Sequence, residues 1–183
     1  AVLCMAVLMT ILAGCTGSEK VDTLQFVAMD TAMRLTVCDL GEEATKAVLQ
    51  AGQRELYRLD SLLSRTNGSS AVAKLNETNS ARVDAEVWGL MESAQQYAVW
   101  TQGCFDMTVA PLVSAWGFTE AENRVPEAEE IETLVQLVGS DHIHALPQTD
   151  GSVAVTLDDG CCIDLGGIAK GYAADVMAKL FAE

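Results

Sequence analysis

The chain has 183 residues, half of them hydrophobic, and a formal net charge of −15. It is long and apolar enough to bury a core, so a disordered acidic tail is excluded. DNA and RNA are excluded as partners because they demand basic surface, and electrostatic attachment to an anionic membrane is disfavoured. A phosphate-bearing ligand beside so acidic a chain would need a bound cation. The six cysteines include no C-x-x-C pair, so zinc-finger spacing is absent.

The first element is the apolar run Ala1 to Ala13. It is shorter than the roughly 20 residues that cross a bilayer and suits the core of a signal peptide. No initiator Met or basic segment precedes it, so the chain is expected to begin inside that peptide. Leu12-Ala13-Gly14-Cys15 has the form of a bacterial lipobox, with Cys15 as the lipidated first residue of the mature protein. The alternative is a plain signal peptide with a chance cysteine. The expected division is a partial lipoprotein signal peptide over 1–14, a polar tether over 15–22, and the N-terminal part of a longer domain over 23–183. The expected location is the cell membrane, lipid-anchored on its extracytoplasmic face.

Leu24 to Val27 and Met33 to Leu40 read as strands flanking Asp30-Thr31, because apolar and polar residues alternate. Glu42 to Leu63 reads as a long amphipathic helix with Ala44, Val48, Ala51, Leu59, Leu62 and Leu63 on one face. Glu42 and Glu43 sit at its positive end, and Gly52 is a weak point. A loop over Ser64 to Ala71 follows. Asp84 can cap a helix running to about Gln102, with Val87, Leu90, Met91, Ala94, Tyr97 and Ala98 inward and Gly103 as its stop. The turn Cys104-Phe105-Asp106 offers an apolar ring beside polar groups, or simply an Asp that caps its own backbone.

Glu127 to Val138 reads as a helix with Ile131, Leu134, Val135 and Val138 buried and its acids in solvent. Asp141-His142-Ile143-His144 places both histidines on one side of a strand. Such pairs can hold a metal, but no third ligand lies nearby in sequence. Val153, Val155 and Leu157 mark a half-buried strand, Asp158-Asp159-Gly160 a hairpin turn, and Cys161 to Asp164 a return strand. Cys161 and Cys162, with Cys38 and Cys104, read as small buried hydrophobes. Gly166-Gly167 then turn the chain into a helix whose inner face carries Ala169, Tyr172, Ala173, Val176 and Leu180. The helix start favours an anion, Lys170 adds a mobile positive charge, and Asp164 can face a metal ion. These groups suit a metal-bound phosphate; an ordinary strand-to-helix connection is the alternative. The expected fold class is α+β, with helices packed on a largely antiparallel sheet.

The block Asp164-Leu165-Gly166-Gly167-Ile168-Ala169-Lys170-Gly171-Tyr172-Ala173 resembles a signature of the bacterial FAD:protein FMN transferases, the ApbE-like flavin transferases. A second block, Gly103 to Val113 with Trp116-Gly117-Phe118, resembles another stretch of that family, and the likeness runs from about Phe26 onward. Met29-Asp30-Thr31 is similar to a Met-Gly-Thr block of the family. Leu63-Ser64-Arg65-Thr66, with Ser70 and Leu75-Asn76, is similar to a family loop in which some members carry Tyr where Thr66 stands. The resemblance implies Mg²⁺-dependent cleavage of the FAD diphosphate and attachment of FMN to a Thr or Ser hydroxyl of an acceptor flavoprotein subunit. It implies FAD contacts at Met29, Thr66, Cys104, Phe105, Asp106, Asp164 and Lys170, and Mg²⁺ on the Gly167 carbonyl. It identifies no catalytic base in this chain. Two other readings stay open: a pyrophosphatase that splits FAD to FMN and AMP without an acceptor, and a lipid-anchored protein that binds flavin or another solute without chemistry.

Overall fold

The computed structural model describes residues 20–118 and 123–182. The expected signal peptide, Cys15 and most of the tether lie outside the described residues. Strands β1 (Val21–Ala28) and β2 (Thr31–Cys38) form an antiparallel hairpin with Ala28 opposite Thr31. Its two-residue turn, Met29-Asp30, has φ of 52° and 55°, the positive values of a type I′ turn, whose twist matches that of the flanking strands. Along each strand, half-buried and exposed residues alternate, and Leu24, Phe26, Met33 and Leu35 face inward.

Helix α1 (Glu42–Leu63) has the bounds its periodicity predicts, and Glu42 and Glu43 lie in its first turn. Its buried stripe is Thr45, Leu49, Gly52, Leu56, Leu59 and Leu63, one residue out of phase with the N-terminal half of the expected face. Ala44 is exposed instead, while Val48 and Ala51 are half-buried. Gly52 explains the shift. A Cβ there would lie 2.8 Å from Leu35 and 2.9 Å from Phe181, so this glycine is where the hairpin and the last turn of the chain approach α1.

Helix α2 (Ala71–Thr78) and strand β3 (Ser80–Val83) follow, in a stretch where no helix or strand was expected. The side chain of Asp84 caps helix α3 (Ala85–Trp100) by accepting from the Val87 amide at 2.8 Å. After a 3₁₀ turn at Met107–Val109 come α4 (Ala110–Ala115) and α5 (Ala128–Val135). Helix α5 stops short of the expected Val138 and buries no residue completely. Ile131, Leu134 and Val138 are only half-buried and Val135 is exposed, because the helix rests against α4 rather than entering the core.

Strands β4 (Ile143–Pro147) and β5 (Val153–Leu157) join β3 in an antiparallel sheet of order β3-β5-β4. His142 precedes β4 in a short 3₁₀ turn, so the two histidines do not share a strand as expected. Helix α6 (Gly166–Leu180) closes the described chain. Leu59, Leu75, Met91, Met107, Val155, Ile163 and Leu165 are among the large, fully buried side chains that bind the sheet and helices into one core. The class is α+β with antiparallel pairing throughout, as the sequence patterning predicts.

The expected return strand Cys161 to Asp164 is not one. Its side chains alternate as a strand's would, with Cys161, Ile163 and Leu165 buried and Cys162 and Asp164 half-buried, but among the described residues no strand pairs with it. A side chain takes the place of the missing partner. The Asn76 amide donates to the Ile163 carbonyl and its oxygen accepts from the Ile163 N–H, both at 2.8 Å. The Asp164 amide donates to the Met107 carbonyl at 2.7 Å. Burial pushes the Cys161 thiol up to about 11. Cys38 and Cys104 are exposed, contrary to expectation, because Cys38 ends the hairpin on its outward side and Cys104 sits in the turn that leaves α3.

A charged network ties three helices together. Arg58 of α1 grips Glu86 of α3 through two bonds of 2.7 Å, and the Tyr172 hydroxyl of α6 donates to the same carboxylate at 2.8 Å. The Arg58 guanidinium holds Glu86 below the usual carboxylate range, and burial with the Glu86 bond raises Tyr172 to about 12.

Asn76→Ala should expose the cost of the side-chain bridge. It leaves the N–H and C=O of buried Ile163 unpaired, at roughly 1–3 kcal/mol for each group. Thermal unfolding of the full-length variant should show a midpoint lower by several degrees, at about 2–4 °C per kcal/mol for a domain of this size. An unchanged midpoint would contradict the bridge.

Candidate functional site

Three distant segments meet where α6 begins. The first is the tip of the β1–β2 hairpin. Met29 holds a left-handed backbone conformation that costs a residue with a Cβ roughly 1–2 kcal/mol. Asp30 adopts the same region more readily, since its short polar side chain bonds locally. Met29 is only 8% exposed, and it belongs to the core while also lining a cleft of about 150 Å³. The strained turn thus delivers a long, flexible apolar side chain to the wall of that cleft.

The second segment is the loop after α1. Ser64 Oγ accepts from the amides of Thr66 at 3.3 Å and Asn67 at 3.1 Å. Asn67 Oδ1 accepts from the amide and hydroxyl of Ser69, and Ser70 caps α2 by accepting from Ala73 at 2.8 Å. These short-range bonds stiffen the loop and present Arg65 and Thr66 to the cleft. Asp60, one turn back on α1, lies on the same wall.

The third segment is the turn Asp164 to Gly167. Asp164 Oδ1 accepts from the Gly166 amide at 2.7 Å, and Oδ2 pairs with Arg65 Nε at 3.0 Å. Gly166 leaves room for this carboxylate, because a Cβ would lie 2.9 Å from Asp164 Oδ1 and the side chain would have to shift. Lys170 stands exposed at the fifth residue of α6, and Ala169 forms part of the floor. The charged lining comprises three carboxylates, Asp30, Asp60 and Asp164, and two cations, Arg65 and Lys170.

A second hollow of about 370 Å³ lies against the other side of the same helix start, with Tyr97, Thr101 and Phe105 facing Gly167, Ile168 and Gly171. The Phe105 ring sits where a Gly167 side chain would be, 2.9 Å from the Cβ position. Its amide is fixed by the Thr101 hydroxyl at 3.0 Å, and its ring stands edge-on to Tyr97 with centroids 6.3 Å apart.

Of the residues singled out from the sequence, Met29, Thr66, Asp164 and Lys170 share the first cleft, and Phe105 and Gly167 share the second hollow. Asp106 and Cys104 line neither. Asp106 Oδ1 accepts from the Thr108 amide at 2.8 Å and its hydroxyl at 2.6 Å, so this carboxylate caps its own turn. Thr108 in turn accepts from the Gly139 amide at 2.7 Å. Sequence reasoning assigned no role to Arg65, whose only signal was its place between Ser64 and Thr66. Asp60 was missed as well, since it lies inside a helix with no motif around it.

Among the described residues, no group of three or more His, Cys, Asp or Glu side chains is arranged to hold a metal. His142 and His144 instead converge on Asp158, at 3.0 and 2.7 Å, and His142 Nε2 lies 3.0 Å from the Gln136 carbonyl. The bonds from His144 and then His142 hold the Asp158 carboxyl below its usual range. This is a clamp between β4, β5 and the end of α5.

Residues 29–183 match the family model described as the ApbE family. A protein of Escherichia coli K12 named FAD:protein FMN transferase is 25% identical over 170 residues, covering 90% of this chain and 48% of its own length. One of the same name from Klebsiella pneumoniae is 28% identical, covering 83% of this chain and 45% of its own length. The crystal structure of the ApbE protein of Thermotoga maritima matches with a TM-score of 0.77 and 31% identity, covering 88% of this chain and 52% of the other. That of the Pseudomonas stutzeri flavinyl transferase ApbE matches with a TM-score of 0.74 and 26% identity, covering 90% and 52%. The chain therefore spans about half the length of the curated relatives it matches. With the family model matching most of its length and the described fold shared with solved members, the chain belongs to the ApbE family.

Proposed function

We propose that the full-length protein is a flavin transferase that cleaves FAD and attaches FMN to a Thr or Ser hydroxyl of an acceptor protein. The observation that carries this reading is the convergence of Met29, Thr66, Asp164 and Lys170, from three distant segments, on one cleft at the start of α6. The names of the relatives in E. coli and P. stutzeri supply the substrate class.

The chemistry of the cleft suits one end of a flavin nucleotide. Met29 offers a polarisable apolar surface to a flat ring. Lys170 and the N-terminal end of α6 offer positive charge to a phosphate. The cleft's 150 Å³ is below the roughly 300–1,000 Å³ of a site that encloses a drug-sized ligand, so these residues would hold part of the dinucleotide. The Phe105 hollow beside Gly167 is the nearest further apolar surface.

Dependence on Mg²⁺ is part of the proposal and rests on charge, because a −15 chain must accommodate an anionic diphosphate. Among the described residues, the carboxylates of the first cleft are not gathered into a group of three or more that could hold Mg²⁺. Asp164 has both oxygens engaged, and the Gly167 carbonyl belongs to the first turn of α6, where it points along the helix axis.

Anchoring through a lipidated Cys15 is likewise proposed, from Leu12-Ala13-Gly14-Cys15 alone. Among the described residues no helix is long and apolar enough to cross a membrane.

The test of function is to incubate the full-length protein with FAD, Mg²⁺ and an acceptor protein carrying a target hydroxyl. The expected result is AMP release matched by covalent FMN on the acceptor, both lost in EDTA. AMP with no labelled acceptor would favour the pyrophosphatase, and bound FAD with no AMP would favour a binding protein. Lys170→Ala should weaken FAD binding about ten- to hundredfold through loss of a charge-assisted bond, while the unliganded thermal midpoint barely moves. A large drop in midpoint with normal affinity would assign Lys170 to stability instead. Cys15→Ala in the full-length precursor should abolish acyl labelling, and labelling that persists would remove the anchor.

A further inference from the structure

We propose that Arg65 is a positioning residue for the flavin-nucleotide cleft, holding the Asp164 carboxylate and the turn it caps in their ligand-receiving orientation; this rests on the flavin reading above. Arg65 reaches across the cleft from the stiff loop after α1. Its Nε donates to Asp164 Oδ2 at 3.0 Å, and its Nη1 donates to Ser114 Oγ of α4 at 3.3 Å. The other Asp164 oxygen accepts from the Gly166 amide at 2.7 Å, at the first residue of α6. A single guanidinium thereby joins the loop, α4 and the turn that starts the helix carrying Lys170.

Both partners are largely shielded, with side-chain exposures of 14% for Arg65 and 23% for Asp164, so water screens their interaction less than at an open surface. The effect on the cleft follows from its charge. Arg65 and Lys170 face Asp30, Asp60 and Asp164. Removing Arg65 leaves Asp164 held by the Gly166 amide alone and adds an uncompensated negative charge where a phosphate-bearing ligand must approach. Lysine cannot replace it. An ammonium is a point charge without the planar fork that spans a carboxylate on one side and a hydroxyl on the other.

Arg65 acts through Asp164, so the two residues should behave as one unit. The experiment measures FAD affinity, by titration calorimetry with Mg²⁺, for full-length wild type, R65K, R65A, D164N and R65A/D164N, each checked for folding by its thermal midpoint. The expected losses are about tenfold for R65K and up to about a hundredfold for R65A, with the double variant no weaker than the weaker single variant. Should R65A fail to fold, R65K and D164N carry the same comparison. Wild-type affinity in R65K would overturn the proposal, as charge alone would then suffice. So would losses that multiply in the double variant, or lowered midpoints with unchanged affinity. A wild-type protein that binds no FAD would overturn the flavin reading and this proposal with it; wild-type binding matched by every Arg65 variant would overturn the role of Arg65 alone.

Discussion

The start of α6, where both hollows meet, depends on the absence of two side chains. At Gly166 the space of a Cβ is taken by the Asp164 carboxylate, and at Gly167 by the Phe105 ring, each 2.9 Å from where that carbon would sit. One glycine admits a charge that caps the turn, and the next admits an aromatic that packs on the helix start. Helix α6 can therefore begin directly between two hollows, with a charged lining on one side and an aromatic one on the other. A methyl group at either position would force the neighbouring side chain to shift.

The turn needs something fixed to stand on, and the core provides it from both directions. Ile163 and Leu165 are fully buried, and the segment they belong to is held by the Asn76 amide and the Met107 carbonyl rather than by a strand. Behind the helix, Tyr172 meets Glu86 and Arg58, which fixes the rotation of α6 about its axis. The strain at Met29 is tolerated for a related reason: the hairpin twist and the burial of the side chain over-determine that conformation.

Local patterning made much of the fold legible. The acidic first turn and apolar periodicity of α1, and the Asp84 cap and apolar spacing of α3, locate both helices, since these signals lie within a few residues of one another. What escaped was set by distant contacts. The phase of the α1 stripe shifts because Gly52 meets Leu35 and Phe181. Cys161 to Leu165 alternates like a strand, yet its partner is an asparagine far back in the chain. At the site, the glycines, Asp164 and Lys170 were legible because a tight turn at a helix start has its own composition. Arg65 was not, because its meaning lies in Asp164 and Ser114, which only folding brings near. Asp106 lies in the second motif block, and one of its carboxylate oxygens caps its own turn.

The proposed flavin-nucleotide site is the cleft at the start of α6. The most direct measurement is a crystal structure of the full-length protein with FAD and Mg²⁺ bound. Nucleotide density is expected within contact distance of Met29, Thr66 and Lys170, with the Arg65–Asp164 pair intact beside it. Well-ordered FAD elsewhere, with this cleft filled only by solvent, would contradict it.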